Sequence, residues 1–309
     1  MMLPAVALGA LALSGCPHDA ALGSVTFVRE GLEHQVSLAD CRDRVLGKAH
    51  EPQTASSPLR VRGGVVAVRG QALWLVGPGG AARRLTPEQP GQQVPDPLTV
   101  SPDGRYLVWA SVYDHASSAN ADGTPVEVTD VTPGGQTHVV AQSMLRWPDY
   151  LSWCGSSLVL VAGSDRIAID GKRLVVASAP DWRPRSPWPE PSRTFGSVAC
   201  APDGRSVAVL SQASSTNAGF FAVRWQLWRV GLDGSRTRLA VAPKGFSDES
   251  PRWSRDGRSL LFVRERRGHG ALWLWRGGRV TGPIARLGYD LGYYGHHDWW
   301  TRAEWHQPA

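Results

Sequence analysis

The clearest pattern along the chain is an Asp-Gly turn followed by about four apolar residues, which returns about every 50 residues. The turns are Asp103-Gly104, Gly155 in a shortened copy, Asp203-Gly204 and Asp256-Gly257. Asp-Gly reverses the chain at low cost, because glycine adopts positive φ and the aspartate side chain accepts backbone hydrogen bonds. The unbroken apolar run after each turn is typical of a strand covered on both faces.

Each copy has a second half, in which a Leu-Trp strand precedes a glycine-containing turn and a last polar strand. The Leu-Trp pairs are Leu73-Trp74, Leu227-Trp228 and Leu272-Trp273. One copy therefore predicts four antiparallel strands. Four-stranded units that repeat at intervals of 40 to 50 residues indicate the blades of a β-propeller.

The copies predict an all-β propeller of six blades, with seven as the alternative. The first copy, residues 24–38, lacks an opening strand, and residues 297–301 supply a spare one. We therefore expect the N- and C-terminal strands to pair and close the ring, which removes open sheet edges. Residues 111–124 and 212–220 are predicted as long loops, and residues 183–191 as a proline-rich connection.

Composition supports one packed domain and argues against a nucleic-acid partner. Apolar residues make up 42% of the 309 positions and charged residues 19%, so a large core can be buried. The formal charge is +6. The arginines are scattered through turns and form no basic run, so we expect no nucleic-acid arm.

The amino terminus predicts export. Residues 3–15 form an apolar run too short to span a bilayer, and Leu13-Ser14-Gly15-Cys16 resembles a bacterial lipobox. The expected organisation is a lipoprotein signal peptide (1–15), a short tether from the lipid-bearing Cys16 (16–23), the propeller (24–305) and a tail (306–309). A signal without lipid and a buried helix start remain alternatives.

Three further cysteines would then lie in an oxidising compartment. Cys154 and Cys200 occupy similar places in neighbouring copies, so we expect them to form a disulfide and Cys41 to stay a buried thiol. The alternative is that all three are small buried hydrophobic residues. Their spacing does not fit a zinc site, and we expect neither a metal nor a cofactor.

Two segments resemble a known repeat. The stretch from Trp253 to Gly257 (Trp-Ser-Arg-Asp-Gly) and the stretch from Asp233 to Leu239 (Asp-Gly-Ser-Arg-Thr-Arg-Leu) resemble the opening and closing parts of the TolB-type β-propeller repeat. The resemblance spans residues 24–305 and implies a propeller fold. It places the chain beside TolB, the propellers of prolyl oligopeptidase-type peptidases and many exported lipoproteins. No G-x-S-x-G segment occurs, so serine-hydrolase chemistry is not expected.

The segment around His296 and His297 is the nearest to a catalytic or metal-binding constellation. Adjacent residues of a strand point to opposite faces, so the two imidazoles are not expected to bind one ion. We interpret the segment as a packed aromatic closure with one solvent-facing imidazole. The recurring Asp103, Asp203 and Asp256 are interpreted as turn residues.

Three tryptophans fall outside the repeat. Trp147, Trp182 and Trp188 lie in proline-containing connections and are candidate contacts for a protein partner or a carbohydrate. The sequence thus favours a monomeric, non-enzymatic, lipid-anchored propeller at the cell envelope, binding an envelope protein or cell-wall component. The alternative is an enzyme or small-ligand binder, for a carbohydrate or lactone, acting at the central channel.

Overall fold

The structure is a computed structural model, which describes residues 15–49, 58–89, 93–113, 123–163, 167–214, 224–292, 295–297 and 299–308. Residues 1–14, most of the predicted signal peptide, and the centres of the two predicted long loops lie outside the described residues. Within the described part, no helix has the length and apolar character needed to cross a membrane.

The strands, numbered along the chain, are β1 (Ser24–Arg29), β2 (Leu32–Ser37), β3 (Asp43–Lys48), β4 (Arg60–Val61), β5 (Gly64–Arg69), β6 (Ala72–Val76), β7 (Ala82–Arg84), β8 (Gln93–Val100), β9 (Tyr106–Tyr113), β10 (Thr124–Asp130), β11 (Thr137–Met144), β12 (Leu151–Cys154), β13 (Ser157–Ala162), β14 (Arg173–Ser178), β15 (Arg193–Cys200), β16 (Ser206–Ala213), β17 (Gln226–Gly231), β18 (Arg236–Ala240), β19 (Ser247–Trp253), β20 (Ser259–Arg266), β21 (His269–Arg276), β22 (Arg279–Tyr289) and β23 (Ala303–His306). Short 3-10 turns are Ala20–Leu22, Pro78–Gly80, Pro148–Tyr150 and Trp299–Thr301.

These strands form six antiparallel sheets within the described residues, which confirms the six-bladed prediction. Blade one contains β23, β1, β2 and β3, and the following blades take β4–β7, β8–β11, β12–β14, β15–β18 and β19–β22. The sequence predicts that copies three to six of the repeat begin near Val94, Asp149, Gly196 and Ser250, and the first strands of these blades begin within three residues of those positions. The first strand of blade five, β15, contacts both β12 of blade four and β19 of blade six, so these three first strands lie next to one another on the inner side of the ring.

The terminal strands close the ring, as predicted. The last strand, β23, pairs antiparallel with β1, with Val25 opposite Trp305. The predicted position of this strand, residues 297–301, was wrong, because the indole N–H groups of Trp299 and Trp300 bond to blade six and draw that segment into the axis. The strand extends one residue into the predicted tail, and Gln307 beyond it donates to the carbonyl of Trp253.

The apolar runs after the Asp-Gly turns are buried in the core, as predicted from the absence of polar residues within them. Residues 107–110, 207–210 and 260–263 are 2% exposed or less. The turn aspartates have the predicted structural role. The backbone N–H groups two residues on donate to Asp103, Asp203 and Asp256 at 3.1, 2.8 and 3.0 Å.

Blade four departs from the repeat, because it has three strands where its neighbours have four. At the outer edge of β14, Val176 and Arg185 exchange both backbone hydrogen bonds, at 2.8 and 2.9 Å. The proline-rich connection, residues 183–191, therefore takes part of the place of a fourth strand. This connection also carries Trp188, which is 4% exposed.

Two disulfides join the described cysteines. Cys154 bonds Cys200 across blades four and five, as predicted. Cys41 bonds Cys16, so the prediction of a free Cys41 thiol was wrong. The two bonds indicate a protein of an oxidising, extracytoplasmic compartment.

The segment from Cys16 to Gly23, predicted as a tether, packs on blade one. Leu22 is 5% exposed, and Asp19 N–H donates to the carbonyl of Leu38 at 3.0 Å. Burial of the leucine side chain stabilises this attachment by about 2 kcal/mol. The disulfide between Cys16 and Cys41 links the same segment to the turn between β2 and β3 of blade one.

Candidate functional site

Two carboxylates and two histidines meet at the axis of the propeller. Asp149 belongs to the 3-10 turn that leads into blade four, and Glu249 lies on β19 of blade six. His296 and His297 come from residues 290–302, which connect blade six to the closing strand β23 and which we call the closure segment. The cluster therefore joins two blades and the closure segment.

β-Bulges in the inner strands build this cluster. The register of β15 shifts between Phe195 and Val198, and that of β19 between Glu249 and Arg252. A bulge leaves residues outside the ladder and re-aims their side chains. Here the displaced residues include Ser197 and Ser250, both of which bond to the axial cluster.

His297 and Glu249 form a buried ion pair. The Nδ1 atom of His297 lies 3.1 Å from Oε1 and 3.0 Å from Oε2 of Glu249, and both side chains are less than 10% exposed. Trp299 Nε1 donates to Oε2 of the same carboxylate at 3.0 Å. Burial disfavours the charged imidazole, but the adjacent Glu249 carboxylate outweighs it and raises the pKa of His297 to about 9.

The surroundings of Asp149 strongly raise the pKa of its carboxyl group. Burial raises its pKa to about 7, the charge of Glu249 adds to this rise, and a hydrogen bond from Ser197 opposes it. Its Oδ1 lies 3.3 Å from Nε2 of His296, whose ring stacks on Trp147 at a centroid distance of 3.8 Å. Near neutral pH this carboxyl can therefore either donate or accept a proton.

A cavity of about 650 Å³ opens beside Asp149. The inner strands of blades four, five and six line it, together with the 3-10 turn Trp299–Thr301. Its lining includes Asp149, Ser152, Cys200, Ser250, Arg252, Trp253, Arg255 and Trp300. The volume falls within the range of small-ligand pockets.

Arg252 stands at the mouth of this cavity. Its side chain is exposed, and its guanidinium group lies over the Trp300 ring at 4.5 Å from the centroid. A second cavity of about 380 Å³ shares Arg252, Trp300 and Thr301 with the first. The two cavities therefore meet at an Arg-Trp pair, a combination that often anchors protein partners.

In the described part of the chain, no three His, Cys, Asp or Glu side chains lie so that they could hold one metal ion. Each histidine of the adjacent pair faces its own carboxylate, His296 facing Asp149 and His297 facing Glu249. The expectation of one solvent-facing imidazole was wrong, because both rings are less than 10% exposed. Asp298, which follows them, lies outside the described residues.

The three tryptophans outside the repeat are not free surface contacts. Trp182 and Trp188 are 2% and 4% exposed, so the expectation of exposed indoles was wrong for both. Trp188 is covered because the connection that carries it packs against blade five, with its ring 5.0 Å from that of Trp228. Trp147 is half-buried, and its ring stacks on that of His296.

Sequence reasoning missed Asp149, Glu249 and Arg252 as site residues. One signal could have pointed to Glu249 and Arg252. Pro251 lies inside an inner strand, and proline there marks a bulge because it cannot donate to the ladder. Asp149 carried no such signal.

Comparisons with solved structures find propellers. The chain is similar to a protein assigned as TolB from Agrobacterium tumefaciens (TM-score 0.46, 15% identity, covering 85% of this chain and 87% of that one). It is also similar to an oligogalacturonate lyase in complex with manganese (0.51, 12%, 82% and 70%). A third match is a protein assigned as a dipeptidyl aminopeptidase IV from Bacteroides ovatus (0.50, 12%, 86% and 44%).

These identities are low, so the likeness concerns the fold alone. The two matches with TM-scores of 0.51 and 0.50 are a lyase and a protein assigned as a peptidase, and a shared fold does not carry their activities to this chain. No family model matches the chain. No curated protein matches it.

Proposed function

We propose that this protein is a non-enzymatic binding propeller of the cell envelope, which holds an envelope protein or cell-wall component at its axial cavity. The observation that carries the proposal is the Arg252–Trp300 pair at the junction of the two cavities. Arginine and tryptophan dominate the binding energy of many interfaces, since both combine a large contact area with directed hydrogen bonds.

Three features support a binding role for the cavity. Its walls are rigid, since they are inner strands joined by the Cys154–Cys200 disulfide. A rigid site loses little conformational entropy on binding. The charged residues that line this cavity are Arg252, Arg255 and Asp149, and the Asp149 carboxyl is partly protonated near neutral pH, so the cavity carries a net positive charge. An extended segment with an acidic group would fit such a cavity.

Lipid attachment at Cys16 would keep the propeller at the membrane. A single sulfur cannot carry both a thioether-linked lipid and a disulfide, so a lipidated chain would have Cys41 as a thiol. Lipidation of Cys16 and the Cys16–Cys41 bond therefore exclude each other, and chemical labelling can tell them apart.

The test is site-specific photo-crosslinking in the native envelope. A photoreactive residue at Thr301, which lines both cavities, should capture a partner, whereas one at Val45, 58% exposed on β3, should not. Arg252→Ala should remove the crosslink. Arg258→Ala, an exposed arginine on a neighbouring turn, is the matched control. Capture that persists in Arg252→Ala, or occurs equally at Val45, would refute the axial site.

A second function, acid–base catalysis on a ligand in the cavity, is favoured by one observation. Asp149 lines the cavity and its pKa of about 7 suits a general acid or base at neutral pH. Incubation with cell-wall glycan or small lactones would test this function. Product formation that follows a pH midpoint near 7 and is lost in Asp149→Asn would support it, and absence of turnover would count against it.

A further inference from the structure

Three arginines of blade five alternate with two tryptophans, Trp228 of the same blade and Trp188 of the connection before it, a set we call the arginine ladder. Arg236 lies over Trp188 at 5.0 Å from the ring centroid. Arg193 lies over both Trp188 and Trp228, at 4.9 and 5.4 Å. Arg238 lies over Trp228 at 5.7 Å. Stacking of this kind holds each guanidinium plane in place. Arg193 Nε also donates to Ser211 Oγ at 3.0 Å and Arg238 Nη1 to Gln226 Oε1 at 3.4 Å, and these bonds hold the two side chains against the blade.

The ladder concentrates positive charge. Burial lowers the pKa of Arg193; the charge of Glu190 opposes this change, and the nearby charges of Arg236 and Arg238 add to it. Among the described carboxylates, the one within ion-pair distance of the ladder is Glu190, 3.9 Å from Arg236. One carboxylate cannot balance three guanidinium groups, so an incoming anion would relieve their repulsion.

The ladder also lies on an open strand edge. Arg236 and Arg238 belong to β18, the outer strand of blade five, whose outer edge pairs with no strand of the described part of the chain. Residues 236–238 are exposed. Alternate residues of a strand share a face about 7 Å apart, so the two arginines form a row with the same period as an added strand.

We propose that β18 binds an acidic, extended segment of a partner protein as a fifth strand of blade five. Carboxylates at every second position of that segment would face Arg236 and Arg238. The backbone of the segment would pair with the open edge of β18. Opposite charges directly across from each other stabilise a strand pair, and planar guanidinium groups bind carboxylates through two hydrogen bonds. This surface is separate from the axial cavity and does not depend on it.

A strand fits the surface better than a membrane does. An anionic bilayer would satisfy the charge of the ladder but leave the backbone edge of β18 without partners. An acidic strand satisfies both, and the two-residue spacing of Arg236 and Arg238 matches its side-chain period. Binding to anionic lipid is therefore an outcome that the experiment must be able to detect.

The experiment measures fluorescence anisotropy of a labelled Thr-Glu-Val-Glu-Val-Glu-Thr peptide with the purified full chain at low salt. We expect saturable binding that weakens at least tenfold in the double variant Arg236→Ala/Arg238→Ala. The matched control is Arg44→Ala/Lys48→Ala, which removes two exposed cations from β3, the outer strand of blade one. Equal loss in both double variants would overturn the proposal, since it would reflect net charge alone.

Two further arms separate strand pairing from charge attraction. In the charge-reversed variant Arg236→Glu/Arg238→Glu, the matching Thr-Lys-Val-Lys-Val-Lys-Thr peptide should bind in place of the acidic one. A peptide N-methylated at the amides that face β18 should lose affinity at least tenfold. Undiminished binding of the methylated peptide, or displacement of the acidic peptide by phosphatidylglycerol vesicles but not by phosphatidylcholine vesicles, would contradict a strand-adding site.

Discussion

Replacing Asp149 with asparagine should stabilise the protein, but only above about pH 5. The carboxyl group is buried between Ser197 and His296, and its side chain is 15% exposed. An asparagine side chain has nearly the same shape, and its carbonyl oxygen can still accept the hydrogen bond from Ser197. The substitution therefore removes the titration while keeping most of the packing.

The size of the effect follows from the pKa shift. The pKa of Asp149 is about 7 in the folded protein, against 3.8 for an unperturbed aspartate. The folded state thus keeps a proton that the unfolded chain loses, so stability falls as pH rises from about 4 to 7. A shift of about 3 units corresponds to about 4 kcal/mol at pH 8, and to almost nothing at pH 4.

Urea unfolding at pH 4, 6 and 8 measures this difference. The matched control is Asp103→Asn, because a hydrogen bond from Ser101 lowers the pKa of Asp103 and the sign is reversed. The lowered pKa stabilises the parent fully above about 3.8, so that variant should lose a nearly constant amount of stability at pH 4, 6 and 8. Stabilisation by Asp149→Asn that is equal at pH 4 and 8, or destabilisation at pH 8, would refute the reasoning.

Three other measurements follow from the same contacts. His297→Gln should lower the free energy of unfolding by about 3 kcal/mol at pH 6, because the folded pKa of about 9 exceeds the ordinary histidine value of 6.5. In urea titrations this loss of stability should fade as pH rises through 9. Cys154→Ser/Cys200→Ser opens a loop of 46 residues and should lower the free energy of unfolding by about 4 kcal/mol. Thiol alkylation of the unreduced, denatured protein should find no free cysteine if Cys16 bonds Cys41, and one if Cys16 carries lipid.

The architecture could be predicted because each copy of the repeat specifies its own blade. Asp-Gly turns, apolar inner strands and Leu-Trp strands are local signals that agree with one another, and the copies repeat them. The spare strand at the C-terminus predicted ring closure. The position of this strand along the chain was predicted wrongly, because the Trp299-Trp300 pair resembles a strand in sequence. In the structure Trp299 donates to Glu249 and Trp300 to the carbonyl of Ser250.

The site could not be predicted because its contacts join residues far apart in the chain. Asp149 meets Ser197 and His296 only after blades four and five and the closure segment have assembled. Burial of Trp188 likewise depends on the missing fourth strand of blade four, which draws the proline-rich connection against blade five. Proline content alone predicted an exposed loop there.

The most direct test of the binding role is the affinity of the crosslinked partner, once purified, for the parent protein and for Arg252→Ala. The Arg252–Trp300 pair is proposed as the anchor, so the variant should bind at least tenfold more weakly, about 1.4 kcal/mol or more. Arg258→Ala should bind like the parent. Equal affinity of parent and Arg252→Ala would contradict a partner site at the axial cavity.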